Sequence, residues 1–493
     1  MPHFLDDDIV DVRIDGEQTA FQLYWGDAVE PLEPAGGETR RIRFTRNGVP
    51  TEGRVKGSAA LRDTPILRLS MVDVQQGDGL VLETPGGKRV LIDGGDNQLF
   101  ARHVAARFRG SSAAGPIVFD AILVTHGDAD HFDGLSEILA SETHSEPRKR
   151  LFATTRRVLH NGLVKRGSSV PEKERLGPTL KADGRTWCVD LHDDLLAVPD
   201  AEMNAPFLKW KRTLQTWNTR LGTLEPGSAI AIHRLDQNAD GAFDFLREPN
   251  LDVEVLGPIT RDIGGKPALL GLGAPPNDAN IELGHPDRKP SSTMSVSHTI
   301  NGHSIAFRLR YGNVRFLFTG DMNQEAMQML REALPNASLR AEIFKTPHHG
   351  SHDFDLAFLH EVGPVVSMIS SGDENETKEY IHPRATLMAA LGKASRSSPA
   401  VIFCTELVAF FKTRGNATLD RPPRDSFFAF ERTNFGIVHI RTDGDRVLAF
   451  SHSGKAGVNE AYRFTVATTG AVTFARRVSK VSAPAATASP PQS

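Results

Sequence analysis

The chain has 493 residues, 39% hydrophobic and 24% charged, which describes an ordinary soluble globular protein too long for one simple core. With 57 Lys and Arg against 61 Asp and Glu the formal net charge is -4, which excludes a globally basic nucleic-acid binder though not a local basic surface. Its two cysteines, Cys188 and Cys404, cannot build a disulfide framework and fit a reducing compartment.

The N-terminus, MPHFLDDDIVDV, is acidic and lacks the basic-then-apolar order of a secretory signal. No window approaches the roughly 20 apolar residues that a membrane span needs, so the expectation is a cytoplasmic protein without a membrane partner. Residues 1–65 alternate short apolar stretches with turn signals such as Asn47-Gly48 and read as a small β-rich segment. From Ile66 three β-type segments follow, ILRLSMVDV, GLVLET and RVLIDGG, the last two joined through Pro85-Gly86-Gly87. Asp93 sits where the third segment meets Gly94-Gly95, and reads either as a turn aspartate or as a support for metal ligands. Helical spacing over 97–109 and a further apolar strand complete an α/β pattern.

That strand empties into FDAILVTHGDADHFDGL, which packs His126, Asp128, Asp130 and His131 into six residues ahead of a helix expected to start near Phe132. Imidazole and carboxylate at one strand mouth suit zinc, manganese or iron. Between about 140 and 290 the alternation is lost, and this stretch reads as an insertion. Within it, Glu146 to Arg166 carries Arg148, Lys149, Arg150, Arg156, Arg157, Lys165 and Arg166, either a solvated face or a surface for nucleic acid or another phosphodiester. The run from Asp236 to Asp244 copies the first nine positions of an EF-hand loop, but Arg247 stands where the bidentate Glu belongs, so an Asp-stabilised turn is expected ahead of calcium.

Order returns from Ser295. A hairpin turns at Tyr311-Gly312-Asn313, and its second strand ends in Gly320-Asp321; a helix over 324–334 and a strand then lead to Pro347-His348-His349-Gly350-Ser351-His352. The strand VVSMIS follows, then the polar loop SSGDENETKEY, and Ile381-His382-Pro383-Arg384 opens another helix. Residues 451–480 read as a C-terminal β extension, and 481–493 as a disordered low-complexity tail.

LIDGG, THGDADH, FTGD and PHHGSH, in this order and at strand ends, resemble the metallo-β-lactamase superfamily. With SSGDEN and HPR they look like the hydrolase domain of ComEC-type competence proteins and their soluble relatives, over about residues 66–450, with 140–290 and 414–433 as departures in length. The resemblance implies a four-layer αββα sandwich carrying two divalent ions, zinc or manganese with iron as a third choice, at one edge of its sheets. It implies that His126 and Asp128 bind one ion, Asp130, His131 and His349 the other, and that Asp321 bridges them. His303 is the nearest candidate for a further ligand, with His298 and His160 behind it. Asp93 and His348 would support the ligands, or face the substrate in the case of His348. Asp130 would also orient the nucleophile, while His352 and His382 would stabilise an oxyanion or protonate a leaving alkoxide; His382 reads equally as a helix-start residue. Asp128 departs from the superfamily's usual histidine and hardens that position toward manganese or iron.

The expected activity is therefore a phosphodiesterase or nuclease using a hydroxide held between two ions about 3.5 to 4 Å apart. A lactone, thioester or lactam hydrolase, a redox site like that of flavodiiron proteins, and a non-catalytic binding or defence component are the alternatives.

Overall fold

The computed structural model describes residues 3–34, 36–275, 293–335, 339–372, 382–406, 436–452 and 458–484. The polar loop beyond Gly372, the 414–433 loop and the end of the tail from 485 lie outside the described residues.

Two large sheets face each other. In the ten-stranded sheet, Arg89–Asp93 lies between Ala121–Leu123, to which it is parallel, and Gly79–Glu83, to which it is antiparallel. In the six-stranded sheet, Val314–Phe318, Ile343–Lys345, Val366–Ile369 and Val401–Cys404 are successive parallel neighbours. The strands alternate. Leu80, Leu82, Val90, Ile92 and Leu123 point to the same buried cluster as Phe307, Leu309, Phe316, Phe318 and Met368 of the other sheet. Their neighbours in sequence, Val81, Leu91 and Ile122, pack outward on the helices Gln98–Arg107, Ala129–Ala140 and Ala205–Leu224. Leu317 and Phe344 likewise pack outward on Gln324–Ala333, Leu356–Val362 and Ala385–Ala394. A period of two on strands, with both faces buried, leaves helix, sheet, sheet, helix as the arrangement, and the expected αββα sandwich is what forms.

The helix ends follow from local chemistry. Asn97, Asn204 and Asn323 each accept a backbone N–H in the first turn of the helix that follows. The helix expected near Phe132 begins earlier, at Ala129, so Asp130 and His131 belong to its first turn. Asp128 holds the N-cap position, but its side chain caps nothing.

The described part of the 140–290 stretch, up to residue 275, is built into the sandwich rather than set apart from it. Arg157–His160 and Ala231–Arg234 extend the ten-stranded sheet, Leu251–Gly257 forms the edge of the six-stranded one, and the long helix buries Trp210 and Trp217. The EF-hand-like run is a turn: Asp236 accepts Asn238 N at 2.9 Å and pairs with Arg234 at 2.8 Å. Within residues 3–62, five strands form one sheet, while Ile9–Val12 and Phe21–Tyr24 belong to a separate three-stranded one, around a core of Leu5, Val29, Ile42, Phe44 and Val55. The chain's far end returns to this segment, where Lys480–Val481 pairs in parallel with Ile9–Val12, so Val481 is in a strand and not in the tail. Among the described residues no helix is long and apolar enough to cross a membrane.

Two charged groups lock the strands that lead to the site. Glu342, fully buried before Ile343–Lys345, accepts Arg315 N at 2.7 Å and pairs with the guanidinium groups of Arg315 and Arg396. Glu342→Gln leaves two guanidinium groups without their counter-charge, and a denaturant titration should show a loss of about 3–5 kcal/mol. Burial raises the Glu83 carboxyl, but Arg68 and Arg107 outweigh it and bring it down to about 2. A carboxyl lowered in the folded state contributes stability above its ordinary pKa that is lost as pH falls toward the folded value. Acid titration should therefore show about 3 kcal/mol disappearing between the ordinary carboxylate range and pH 2, and Glu83→Gln should flatten that limb.

Candidate metal centre

The site lies where both sheets present the ends of parallel strands. From the ten-stranded sheet come Asp93, at the end of its strand, and Thr125 and His126 just beyond Ala121–Leu123. From the six-stranded sheet come Asp321, just beyond Val314–Phe318, and His349 on the turn after Ile343–Lys345. Asp130 and His131 enter from the first turn of their helix. His126, His131 and Asp321 offer ligand atoms within 4.8 Å of one another, as do Asp130, His131 and His349.

Each histidine is held from behind by an oxygen. His131 Nδ1 lies 2.8 Å from Asp93 Oδ2, whose carboxylate also accepts Thr125 N and Oγ1 at 2.7 Å each. His349 Nδ1 lies 3.2 Å from the Ser370 carbonyl. His126 Nδ1 lies 3.2 Å from Ser304 Oγ, a hydroxyl that donates to Asn301 O at 2.8 Å and accepts Asp321 N at 2.8 Å. A carbonyl or carboxylate oxygen can only accept, and the Ser304 hydrogen is already used. All three rings therefore donate from Nδ1 and turn the Nε2 lone pair inward. There, His131 Nε2 stands 3.3 Å and His349 Nε2 3.0 Å from Asp321 Oδ2, and His349 Nε2 stands 3.7 Å from Asp130 Oδ2.

Backbone strain holds this geometry. Asp93, His348 and His349 all have left-handed φ, 56°, 49° and 51°, at a cost on the order of 1–2 kcal/mol each for a non-glycine residue. Gly77 (φ 94°) runs so close to the helix start that a Cβ would sit 1.6 Å from Asp130 O, so no larger residue fits under that turn.

Two buried groups that the sequence motifs do not single out complete the cluster. Lys345 Nζ pairs with Asp78, donates to Gly320 O at 3.0 Å and lies 3.9 Å from Asp321 Oδ1. Asp78 Oδ1 in turn lies 3.6 Å from His349 Nδ1. A carboxylate between two glycines at a strand start, and one lysine closing an otherwise apolar strand, were the available signals.

The residues fit a cation. Asp78, Asp93, Asp130 and Asp321 share the site with one buried ammonium, and His126 Nε2, His131 Nε2, His349 Nε2 and Asp321 Oδ1 are buried without a hydrogen-bond partner. Burial alone would strip protons from His131 and His349, but Asp321 raises both, helped by Asp93 and Asp78 respectively. Asp321 is held well below its usual range by His349 and His131 in spite of burial, whereas burial pushes Asp130 up. Positive charge is thus favoured where these atoms meet.

Other expected residues lie elsewhere. Asp128 Oδ1 pairs with Lys165 Nζ at 2.8 Å, and its Oδ2 accepts the Asn301 amide at 2.9 Å when that amide is turned so that its nitrogen faces acceptors. His303 Nε2 donates to Leu270 O at 2.7 Å, and His160 Nε2 to Asp193 O at 3.2 Å. Neither these histidines nor His298, which faces Asp353 at 3.7 Å, belongs to the metal-sized groups among the described residues. The ring centroids of His348 and His382 stand 6.0 Å apart beside the cluster, and the His348 ring stands 6.1 Å from that of His349. His352, three residues beyond His349, is half-buried, and no metal-sized group among the described residues includes it.

The basic stretch is largely neutralised by its own chain. Arg148 and Lys149 pair with Glu146, Arg156 with Glu225, Lys165 with Asp128, and Arg166 with Asp190 and Glu202. Arg150 donates to the His144 carbonyl, and Arg157 lies over the Phe245 ring.

No family model matches the chain. Over 96 residues, 19% of this chain, it is 28% identical to ComE operon protein 3 of Bacillus subtilis (strain 168), a weak homology that spans only 12% of that relative's length. Among solved structures it is similar to a mutant of the β-hydroxylase CmlA, at 13% identity and a TM-score of 0.27, covering 74% of this chain and 67% of that one. It is also similar to a long form RNase Z from yeast, at 9% identity and a TM-score of 0.24, covering 62% of this chain and 37% of that one. Both scores are low, and neither likeness bears on what this chain does.

A ligand set this complete couples metal to folding. Saturating manganese or zinc should raise the melting temperature over that in chelator, with a stabilisation of about 3 kcal/mol at a hundredfold excess over Kd. His349→Ala should abolish the increment.

Proposed function

We propose that this chain is a metal-dependent hydrolase of the metallo-β-lactamase superfamily, similar to the hydrolase domain of ComEC-type proteins, and that it cleaves phosphodiesters, nucleic acid among them. The observation that carries the reading is the inward convergence of three Nε2 lone pairs on Asp130 and Asp321, each ring fixed by an oxygen behind it. Asp130, His131, Asp321 and His349 would hold the ion, with zinc or manganese the metals that suit such a mixture. A divalent cation there supplies Lewis-acid activation of water and of the phosphoryl oxygen.

The chain's own residues do the rest. Asp130, 21% exposed and next to His349, orients the attacking water and takes its proton. Asp93, Ser304 and Ser370 fix the ring orientations, so that no reorganisation is needed when the substrate binds. Burial lowers His348 to about 4 and His382 to about 2, so these rings beside the cluster stay neutral and can act on the leaving alkoxide only as hydrogen-bond donors. The basic stretch 146–166 does not carry this reading, since five of its cations rest on carboxylates of the same chain.

The test is a substrate panel with added manganese or zinc: an aryl phosphodiester, single-stranded DNA and RNA, a lactone, a thioester and a β-lactam. Phosphodiester turnover should fall about 10²–10⁴-fold in Asp130→Asn while the fold persists and the thermal response to metal weakens. Ester or lactam turnover without phosphodiester turnover overturns the substrate class.

A further inference from the structure

We propose that the site holds one metal ion and not two, and that the ammonium of Lys165 occupies the place of the second, so that a substrate meets one metal and one lysine. The inference rests on the metal-dependent reading above and deepens it.

The ligands are unevenly divided. Around one point stand Asp130, His131, His349 and Asp321: His349 Nε2 and His131 Nε2 lie 3.0 and 3.3 Å from Asp321 Oδ2, and His349 Nε2 lies 3.7 Å from Asp130 Oδ2. Four ligands at about 2.1 Å in a tetrahedron stand about 3.4 Å apart, so these side chains are already spaced for one ion. With His131 Nε2, a single lone pair, given to that ion, a second ion would find His126 Nε2 and a share of Asp321 in the remaining metal-sized group among the described residues. Asp128 has both oxygens engaged, one by Lys165 and one by the Asn301 amide, which also donates to Ser297 O at 3.0 Å. His303 and His160 have each committed Nε2 to a backbone carbonyl. Two protein ligands do not hold a divalent ion firmly where three or four are the rule.

Lys165 is placed for this by its backbone. It lies beyond Arg157–His160, and its carbonyl accepts Asn204 N at 2.8 Å at the start of the long helix, while Arg166 N donates to Arg175 O at 2.8 Å. The side chain is 23% exposed and its Asp128 partner 21%, so the pair reaches solvent and is not sealed in the core. An ammonium at that point supplies a positive charge for an anionic phosphoryl oxygen without the ligands that an ion would require. The carboxylate that hardens the first-metal motif is thus explained as a lysine anchor.

The test counts metal. Full-length protein purified without a metal-affinity tag is loaded with manganese, desalted and assayed for metal per chain by elemental analysis and titration calorimetry, with electron paramagnetic resonance to distinguish an isolated ion from an exchange-coupled pair. The expected result is one ion per chain with the signal of an isolated ion, unchanged in Asp128→Ala and lost in His349→Ala. Lys165→Met, which frees Asp128 to join His126 and Asp321, should bind a second ion and show a coupled pair. Two firmly bound ions in the unaltered chain, with one lost in Asp128→Ala, overturn the inference and leave the metal-dependent reading standing; a Lys165→Met count that stays at one overturns the role of the lysine. No bound metal in the unaltered chain overturns the metal-dependent reading itself.

Discussion

The architecture of the site answers to one electrostatic constraint, an excess of carboxylate buried at the meeting point of two sheets. Asp78, Asp93 and Asp321 are each at most 2% exposed, and Asp130 stands beside them. Among the described residues their fully buried lysine or arginine neighbour is Lys345. Such charge is tolerated inside a protein only when it is paired or ligates an ion. Lys345 is tied to Asp78, Asp93 is spent on Thr125 and His131, and what is left over points to the space between Asp321, Asp130 and three imidazoles.

Satisfying that constraint requires both sheets. Asp93 and His126 end or follow strands of the ten-stranded sheet, while Asp321, Lys345 and His349 end or follow strands of the six-stranded one. Their alignment depends on the apolar layer from Leu80 to Met368 that joins the two sheets. Ser304 is the clearest link between the halves: one hydroxyl receives Asp321 N and the ring of His126 together. The left-handed backbone at Asp93, His348 and His349 is affordable because the packed strands on either side over-determine it.

The stretch between 140 and 290 shows how the same charges can read differently in one and three dimensions. In sequence the cations from Arg148 to Arg166 form a cluster, while in space five of them, Arg148, Lys149, Arg156, Lys165 and Arg166, rest on carboxylates. Several of those partners are remote in sequence, such as Glu225 and Glu202. Lys165 belongs to this group, and its partner is the aspartate expected to bind metal.

Much of the fold was legible because strand patterning is local. The alternation around Val90, Ile122 and Phe316 marks strands buried on both faces, and Asn97, Asn204 and Asn323 mark helix starts. The cluster itself was legible at His126, Asp130, His131, Asp321 and His349, since ligand side chains at strand ends stand out against apolar runs. What sequence could not decide was which of several polar groups of the same chemical type turns inward. Asp128 and Asp130 are two residues apart, yet the helix start at Ala129 sends one to Lys165 and the other to His349. His303 looks as suitable as His349 until Leu270 O claims its Nε2. Asp78 and Lys345 matter only because strands far apart in the chain bring them together. Residue type and local period determined where metal chemistry could arise; tertiary hydrogen bonding, which acts between residues that the chain order does not relate, decided which atoms were left to perform it.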